Sequence, residues 1–211
     1  MAKSNFLVKV ILGIGSVLIL LSLGIMMTMT PEPKSKSTKV KNIGVAVQSG
    51  DIGGDFILVD SNGKNIDSRK LRGKVLLIYF GFTHCPDVCP ASIMEMVNAI
   101  EEMGEYSKDI QPIFITVDPK RDTPQELRDY FKNVDSRILA LTGNEEAIAS
   151  AAKKFKVSYS VVRDGSEKSD DYLINYSSFY YLVGKDGRLL KYYVPGASGK
   201  EIGRNILKYH L

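Results

Sequence analysis

The chain's 211 residues fall into short uninterrupted apolar runs separated by stretches whose apolar positions recur every three or four. Residues 75–80 (Val-Leu-Leu-Ile-Tyr-Phe) and 112–117 (Pro-Ile-Phe-Ile-Thr-Val) read as strands buried on both faces. Between them, Ile93, Met94, Val97, Ile100 and Met103 have helical spacing and predict a helix over 91–103. Pro90 suits its first position, where a missing N–H is no loss. A short strand over 56–60 precedes Ser61-Asn62-Gly63-Lys64, a hairpin turn because Asn-Gly tolerates positive φ, and residues 65–72 lead into the first buried strand. Thr123-Pro124-Gln125-Glu126 combines an N-cap, a first-position proline and a glutamate three residues on, and opens a helix to about Phe131. A short strand over 138–141 follows. Asn144 caps a helix to Phe155 with Ile148, Ala151, Ala152 and Phe155 on one face. Residues 157–162 form a further strand, and the charged 163–171 segment is a loop. Residues 178–183 and 189–194 flank Lys185-Asp186-Gly187 as a hairpin, and a helix over 199–209 closes the chain. This order predicts an α/β fold: a mixed sheet with helices on both faces.

The N-terminus departs from this pattern. Residues 10–27 carry no charge and consist mostly of Ile, Leu, Val, Gly and Met, with Lys3 and Lys9 before them. That length spans a bilayer, and no Ala-x-Ala-like cleavage site follows. An N-terminal transmembrane anchor over 1–29 is expected, then a flexible polar linker over 30–44 with Pro31, Pro33 and several lysines. The folded domain is expected over 45–211. Residues 1–41 hold six Lys and one Glu, which leaves 22 basic against 23 acidic residues in the remainder. The globular part is near neutral, so nucleic acid is not an expected partner. The lysines at 34–41 weakly oppose an outward-facing domain by the positive-inside rule.

Cys85 and Cys89 are the chain's two cysteines. They lie together in Gly81-Phe82-Thr83-His84-Cys85-Pro86-Asp87-Val88-Cys89-Pro90, where a buried strand feeds a helix. Partial positive charge and free N–H groups at a helix N-terminus favour thiolate, which is both nucleophile and soft metal ligand. A spacing of four puts both sulfurs on one side of a turn, to converge on one ion or close a short disulfide. Such a pair has work to do in an oxidising compartment. This favours a single-pass protein of a bacterial inner membrane with its domain in the periplasm. A cysteine pair at the end of an early buried strand also points to a thioredoxin-like arrangement.

The motif from Tyr79 to Pro90 resembles the signature of the Sco/SenC family, copper chaperones of cytochrome c oxidase assembly. So do Phe114-Ile115-Thr116-Val117-Asp118-Pro119-Lys120-Arg121-Asp122-Thr123-Pro124 and Leu141-Thr142-Gly143. The likeness runs from about Gly53 to the C-terminus. It implies a thioredoxin-like fold, an anchored domain, and copper held by Cys85, Cys89 and a distal histidine for delivery to the binuclear site of oxidase subunit II. It also implies a thiol–disulfide role toward that target. The family's histidine falls in a segment like Tyr-Leu-Ile-Asp-His-Ser, and this chain reads Tyr172-Leu173-Ile174-Asn175-Tyr176-Ser177. Tyr176 thus stands at the third-ligand position. A phenol, with a pKa of about 10 and a hard oxygen, is a poor ligand for Cu(I), whereas two thiolates alone can hold that ion. A stable Cu(II) site is less well provided for.

Of the two histidines, His84 reads as a turn residue bonded to backbone, and His210 lies at the chain end. Met94 and Met103 read as core. Asp87 suits either a helix cap or a group orienting a ligand, and Asp118 a turn with Pro119 at a functional sheet edge. Tyr180, Tyr181, Tyr192 and Tyr193 are expected to form cross-strand pairs. Two functions remain in contention: a Cu(I) metallochaperone using both thiolates, and a thiol–disulfide oxidoreductase without stably bound metal. A peroxidase lacks its Thr-x-x-Cys context, and the two cysteines in their motif speak against an inert scaffold. The chaperone is the first expectation.

Overall fold

A computed structural model of the chain describes residues 52–86, 88–163 and 172–210, the side chains of 209 and 210 excepted. The expected anchor and linker, Asp87, the His210 side chain and most of the charged 163–171 loop lie outside them. Among the described residues no helix is long and apolar enough to cross a membrane.

The elements in chain order are β1 (Ile57–Asp60), β2 (Asn65–Asp67), β3 (Val75–Gly81), α1 (Val88–Glu102), β4 (Ile110–Thr116), α2 (Pro124–Phe131), β5 (Leu139–Thr142), α3 (Glu145–Lys154), β6 (Tyr159–Val162), β7 (Leu173–Tyr176), β8 (Tyr180–Val183), β9 (Leu189–Tyr193) and α4 (Gly199–His210). A seven-stranded sheet runs β2-β1-β5-β4-β3-β8-β9. Its centre, β3–β4–β5, is parallel, while β1 and β8 join antiparallel. All seven residues of β3 are buried, which fits a central strand covered on both faces. The expected mixed sheet flanked by helices is the observed one.

Two ring clusters mark the two faces of β3. On one, Tyr79 packs against Phe114 and Tyr180. On the other, Phe80 packs against Phe155 and Tyr181. The expected tyrosine pairs form as Tyr180–Tyr193 and Tyr181–Tyr192. The caps also sit where the sequence placed them. Thr123 accepts from the Glu126 N–H and Asn144 from the Ala147 N–H, each contact contributing about 1 kcal/mol.

Three expectations need correction. The helix after the cysteines starts at Val88 rather than 91, so Cys89 lies inside its first turn and Pro90 is its third residue; an N–H there has no intrahelical partner either. That start sets which face is buried. Cys89, Ile93, Met96 and Ile100 line the core side, and Met94 is 51 % exposed rather than core. Met103 is buried as expected. Residues 172–176, to which the pattern assigned no element, hold β7, which pairs with β6 in a separate two-stranded sheet.

Helix α4 lies directly on α1, the cysteine-bearing helix. A Cβ on Gly199 would sit 2.2 Å from the Glu95 carbonyl oxygen, and one on Gly203 2.7 Å from that of Ala99. Only glycine allows this approach.

Candidate metal and redox site

The site lies at the C-terminal ends of β3 and β4, where the chain leaves the sheet for the cysteine turn. Gly81 ends β3 and makes room for it. A Cβ there would fall 2.8 Å from Cys89 Sγ, 2.9 Å from the Phe114 ring and 3.0 Å from that of Tyr79. Both cysteines are free thiols and both are buried, Cys85 at 8 % exposure and Cys89 at 0 %. The backbone serves each sulfur: the Cys89 N–H approaches Cys85 Sγ at 3.4 Å, and the Phe82 N–H approaches Cys89 Sγ at 3.5 Å. Spacing and fold therefore place both cysteines on one turn, with the Cys89 backbone against Cys85 Sγ.

Tyr176 joins them from β7. Its phenol oxygen lies 2.8 Å from Cys89 Sγ and 2.9 Å from the Tyr79 phenol, and its ring stands edge-on to Phe82 at 5.8 Å. Burial pushes the Cys89 thiol up to about 12, against the helix N-terminus and against hydrogen bonds from Tyr176 and Phe82. The sequence weighed the helix end alone, and burial outweighs it. Burial also pushes Tyr79 and Tyr176 well above the usual phenol range. Once Cys89 ionises, its sulfur can only accept. Tyr176 then donates to it, and the Tyr176 oxygen is left to accept from Tyr79.

A second network, not foreseen in the sequence, anchors the turn. Asp122 is fully buried. It accepts from the Thr83 N–H at 3.1 Å, the Thr83 hydroxyl at 2.5 Å and the Thr116 hydroxyl at 2.5 Å. Burial raises its pKa, partly offset by these bonds. Thr116 in turn accepts from the Asp118 N–H. Asp118 is more than a turn former: it accepts from the Tyr172 hydroxyl at 2.7 Å and from Arg121 at 2.5 Å, and the Arg121 guanidinium stacks on the Tyr172 ring at 3.7 Å. His84 is 45 % exposed and bonds the Thr83 hydroxyl at 3.0 Å rather than backbone. The local signal for Asp122 was faint, because it stands beside Thr123, whose capping role already accounted for that stretch.

Among the described residues no three His, Cys, Asp or Glu side chains converge as a metal site. The donor set is two sulfurs with a phenol beside one of them. That set suits a soft monovalent ion, since thiolates select Cu(I) and two suffice for it. The same two thiols, free and four residues apart on one turn, are also the pair that a short disulfide would join.

The SCO1/SenC family model matches residues 45–210. The chain belongs to the SCO1/SenC family. It is 48 % identical over 151 residues to a SCO2-like protein of Rickettsia prowazekii, covering 72 % of this chain and 73 % of the relative. Its fold is similar to that of Bradyrhizobium japonicum ScoI with copper bound, with a TM-score of 0.68 and 35 % identity over 75 % of this chain and 99 % of that one. A structure of BsSco, a Sco-family cytochrome c oxidase assembly protein in which a disulfide switch was identified, matches with a TM-score of 0.59 and 28 % identity over 75 % of this chain and 92 % of that one. The fold is thus the expected thioredoxin-like one, and copper is bound by solved members of the family.

Proposed function

We propose that this chain is a membrane-anchored copper(I) chaperone for the binuclear copper site of cytochrome c oxidase subunit II. In this reading, residues 1–29 anchor it in a bacterial inner membrane, 30–44 tether it, and 45–211 present the site to the periplasm. Cys85 and Cys89 hold the ion as thiolates. Tyr176 takes the place the family gives to a ligand histidine and serves as a hydrogen-bond donor instead. The observation that carries this reading is the convergence of two buried sulfurs, with one phenol hydrogen-bonded to Cys89, in a chain whose relatives bind copper. As cargo, Cu(I) displaces the two thiol protons on loading, and a partner with more thiolate or imidazole ligands draws it away.

The test is a Cu(I) competition titration of the reduced chain against a chromogenic chelator. One-to-one binding that Cys85→Ser removes is the expected result. Equal affinity in that variant would overturn the metal-site claim.

The two free thiols on one turn favour a second reading, thiol–disulfide exchange on subunit II or other periplasmic cysteines. Cys85 thiolate attacks a partner disulfide, forms the mixed disulfide and expels one partner thiolate. Cys89 thiolate then attacks Cys85 Sγ and expels the second. The chain ends as the disulfide, two electrons poorer, and the partner is reduced by the same two. A chain that exchanges disulfides yet binds Cu(I) no better than Cys85→Ser would establish this reading over the first.

A further inference from the structure

We infer that Asp122 is a positioning residue for the cysteine pair: through Thr83 it fixes the turn that aims the Phe82 N–H at Cys89, and through Thr116 it ties that turn to the segment that seats the Tyr176 strand. This rests on the reading above only in taking Cys85 and Cys89 as the working pair. It holds for copper transfer and for disulfide exchange alike.

Consecutive peptide groups connect the two ends of the device. The Phe82 N–H points to Cys89 Sγ, and the next N–H, that of Thr83, points to Asp122. Asp122 grips Thr83 twice, by backbone and by hydroxyl. With Thr83 held, the direction of the Phe82 N–H is held, and so is the chain entering Cys85, whose own N–H returns to the Phe82 carbonyl. The carboxylate's third bond, from Thr116, ties it to β4.

The same anchor reaches the strand that carries Tyr176. Thr116 accepts from the Asp118 N–H, and the Asp118 carboxylate accepts from Tyr172, one residue ahead of β7. The cysteine turn and the Tyr176 strand are therefore both referenced to residues 116–122 and not merely to each other. A fully buried carboxylate whose hydrogen bonds come from the Thr83 N–H and two hydroxyls, with the half-exposed His84 ring 3.8 Å away, is expensive to desolvate. Packing alone gives no reason for it, whereas registering two separate segments across the site does. In the structure both cysteines are thiols, so the contacts that Asp122 aims at Cys89 belong to the reduced state. Weakening the anchor removes stabilisation from that state and leaves the disulfide comparatively favoured.

The experiment equilibrates the full chain in detergent with glutathione buffers. Two glutathione thiols and the protein disulfide exchange to give glutathione disulfide and the protein dithiol. Thr83→Val, Asp122→Asn and Thr83→Ser are compared with the parent, with Cu(I) competition and thermal unfolding on the same samples. The expected result is a shift of roughly tenfold toward the disulfide in Thr83→Val and Asp122→Asn, about 30 mV for this two-electron couple. Cu(I) binding weakens by a similar factor, and Thr83→Ser, which keeps the hydroxyl, stays within about twofold of the parent. Thr83 is at the site's margin and partly exposed, so Thr83→Val decides the matter even where Asp122→Asn fails to fold. A parent-like equilibrium in Thr83→Val overturns the inference, as does a Thr83→Ser shift equal to that of Thr83→Val. The glutathione readout needs no copper. Failure of the copper reading, seen as unchanged Cu(I) affinity in Cys85→Ser, is therefore distinguishable from failure of this one.

Discussion

The Tyr176 phenol stands 2.8 Å from Cys89 Sγ, so the side chain at the proposed third-ligand position reaches the sulfur and meets it as a hydrogen-bonding hydroxyl. Its second contact, with the Tyr79 phenol, gives the hydroxyl a donor behind it. The geometry favours stabilising a thiolate over supplying a third metal bond.

Replacing that hydroxyl separates the two roles. Tyr176→Phe removes a donor to a charged sulfur, worth about 1.5–3 kcal/mol, and weakens Cu(I) binding by roughly ten- to a hundredfold on that scale. Tyr176→His places an imidazole near the sulfurs and creates a Cu(II) site with nitrogen and sulfur ligands, which the parent lacks. Competition titration reads the first effect and electron paramagnetic resonance the second. An unchanged Cu(I) affinity in Tyr176→Phe would show that the phenol is only packing.

The two thiols are expected to react in order. Burial holds Cys89 protonated up to a pKa of about 12, so at pH 8 its thiolate is scarce, and its sulfur is fully enclosed. Cys85 is the less enclosed of the two. Brief iodoacetamide treatment at pH 8 therefore labels Cys85, as peptide mass mapping would show. Because the Cys89 value is raised, its labelling increases as pH climbs toward 12. Cu(I) loading must expel the same proton, so apparent affinity tightens over that rise as well. Labelling of Cys89 first at pH 8 would reverse the assignment of attacking and resolving sulfurs.

Gly81 offers a steric probe of the site. Its missing Cβ leaves the space that Cys89 Sγ and the rings of Phe114 and Tyr79 occupy. Overpacking of this kind costs about 1–3 kcal/mol. Gly81→Ala is expected to lower thermal stability by about that amount and to reduce Cu(I) affinity with it, since the displaced atom is one of the two proposed ligands. A variant of normal stability and full affinity would mean that the site yields more readily than its burial suggests.

Local signals in the sequence carried much of this structure. The apolar run of β3, the Thr123 and Asn144 caps and the cysteine spacing each depend on residues a few positions apart, and each lies where expected. What escaped depends on contacts distant along the chain. Thr83 and Asp122 are 39 residues apart, and Tyr79 and Tyr176 are 97 apart; no periodicity links such pairs. The misplacement of Met94 has a different origin. Its spacing from Ile93 and Val97 is helical, but which side of α1 faces the core is set by Cys89 entering the first turn. A helix start three residues early moved Met96 inward and Met94 out.

The glycine seam between α1 and α4 should behave oppositely to what helix propensity alone requires. In an unconstrained helix Gly→Ala stabilises by about 1 kcal/mol. At Gly203, however, the new methyl would lie 2.7 Å from the Ala99 carbonyl oxygen and 2.8 Å from Glu102 Cβ. Backbone cannot yield as a flexible side chain can, so α4 must lift from α1 and loosen the burial of Ile202 and Ile206, both at 0 % exposure. Overpacking on the order of 1–3 kcal/mol offsets the propensity gain and over most of that range exceeds it. Net of that gain up to about 2 kcal/mol remains, so Gly203→Ala is expected to unfold at a temperature lower by up to roughly 8 °C, at about 2–4 °C per kcal/mol for a domain of this size. The seam meets α1 at Ala99 and Glu102, well along the helix from Cys89, so Cu(I) affinity should stay within about twofold of the parent. A rise in melting temperature would show that the helices separate at little cost. A loss of copper binding without a loss of stability would instead tie the seam to the site.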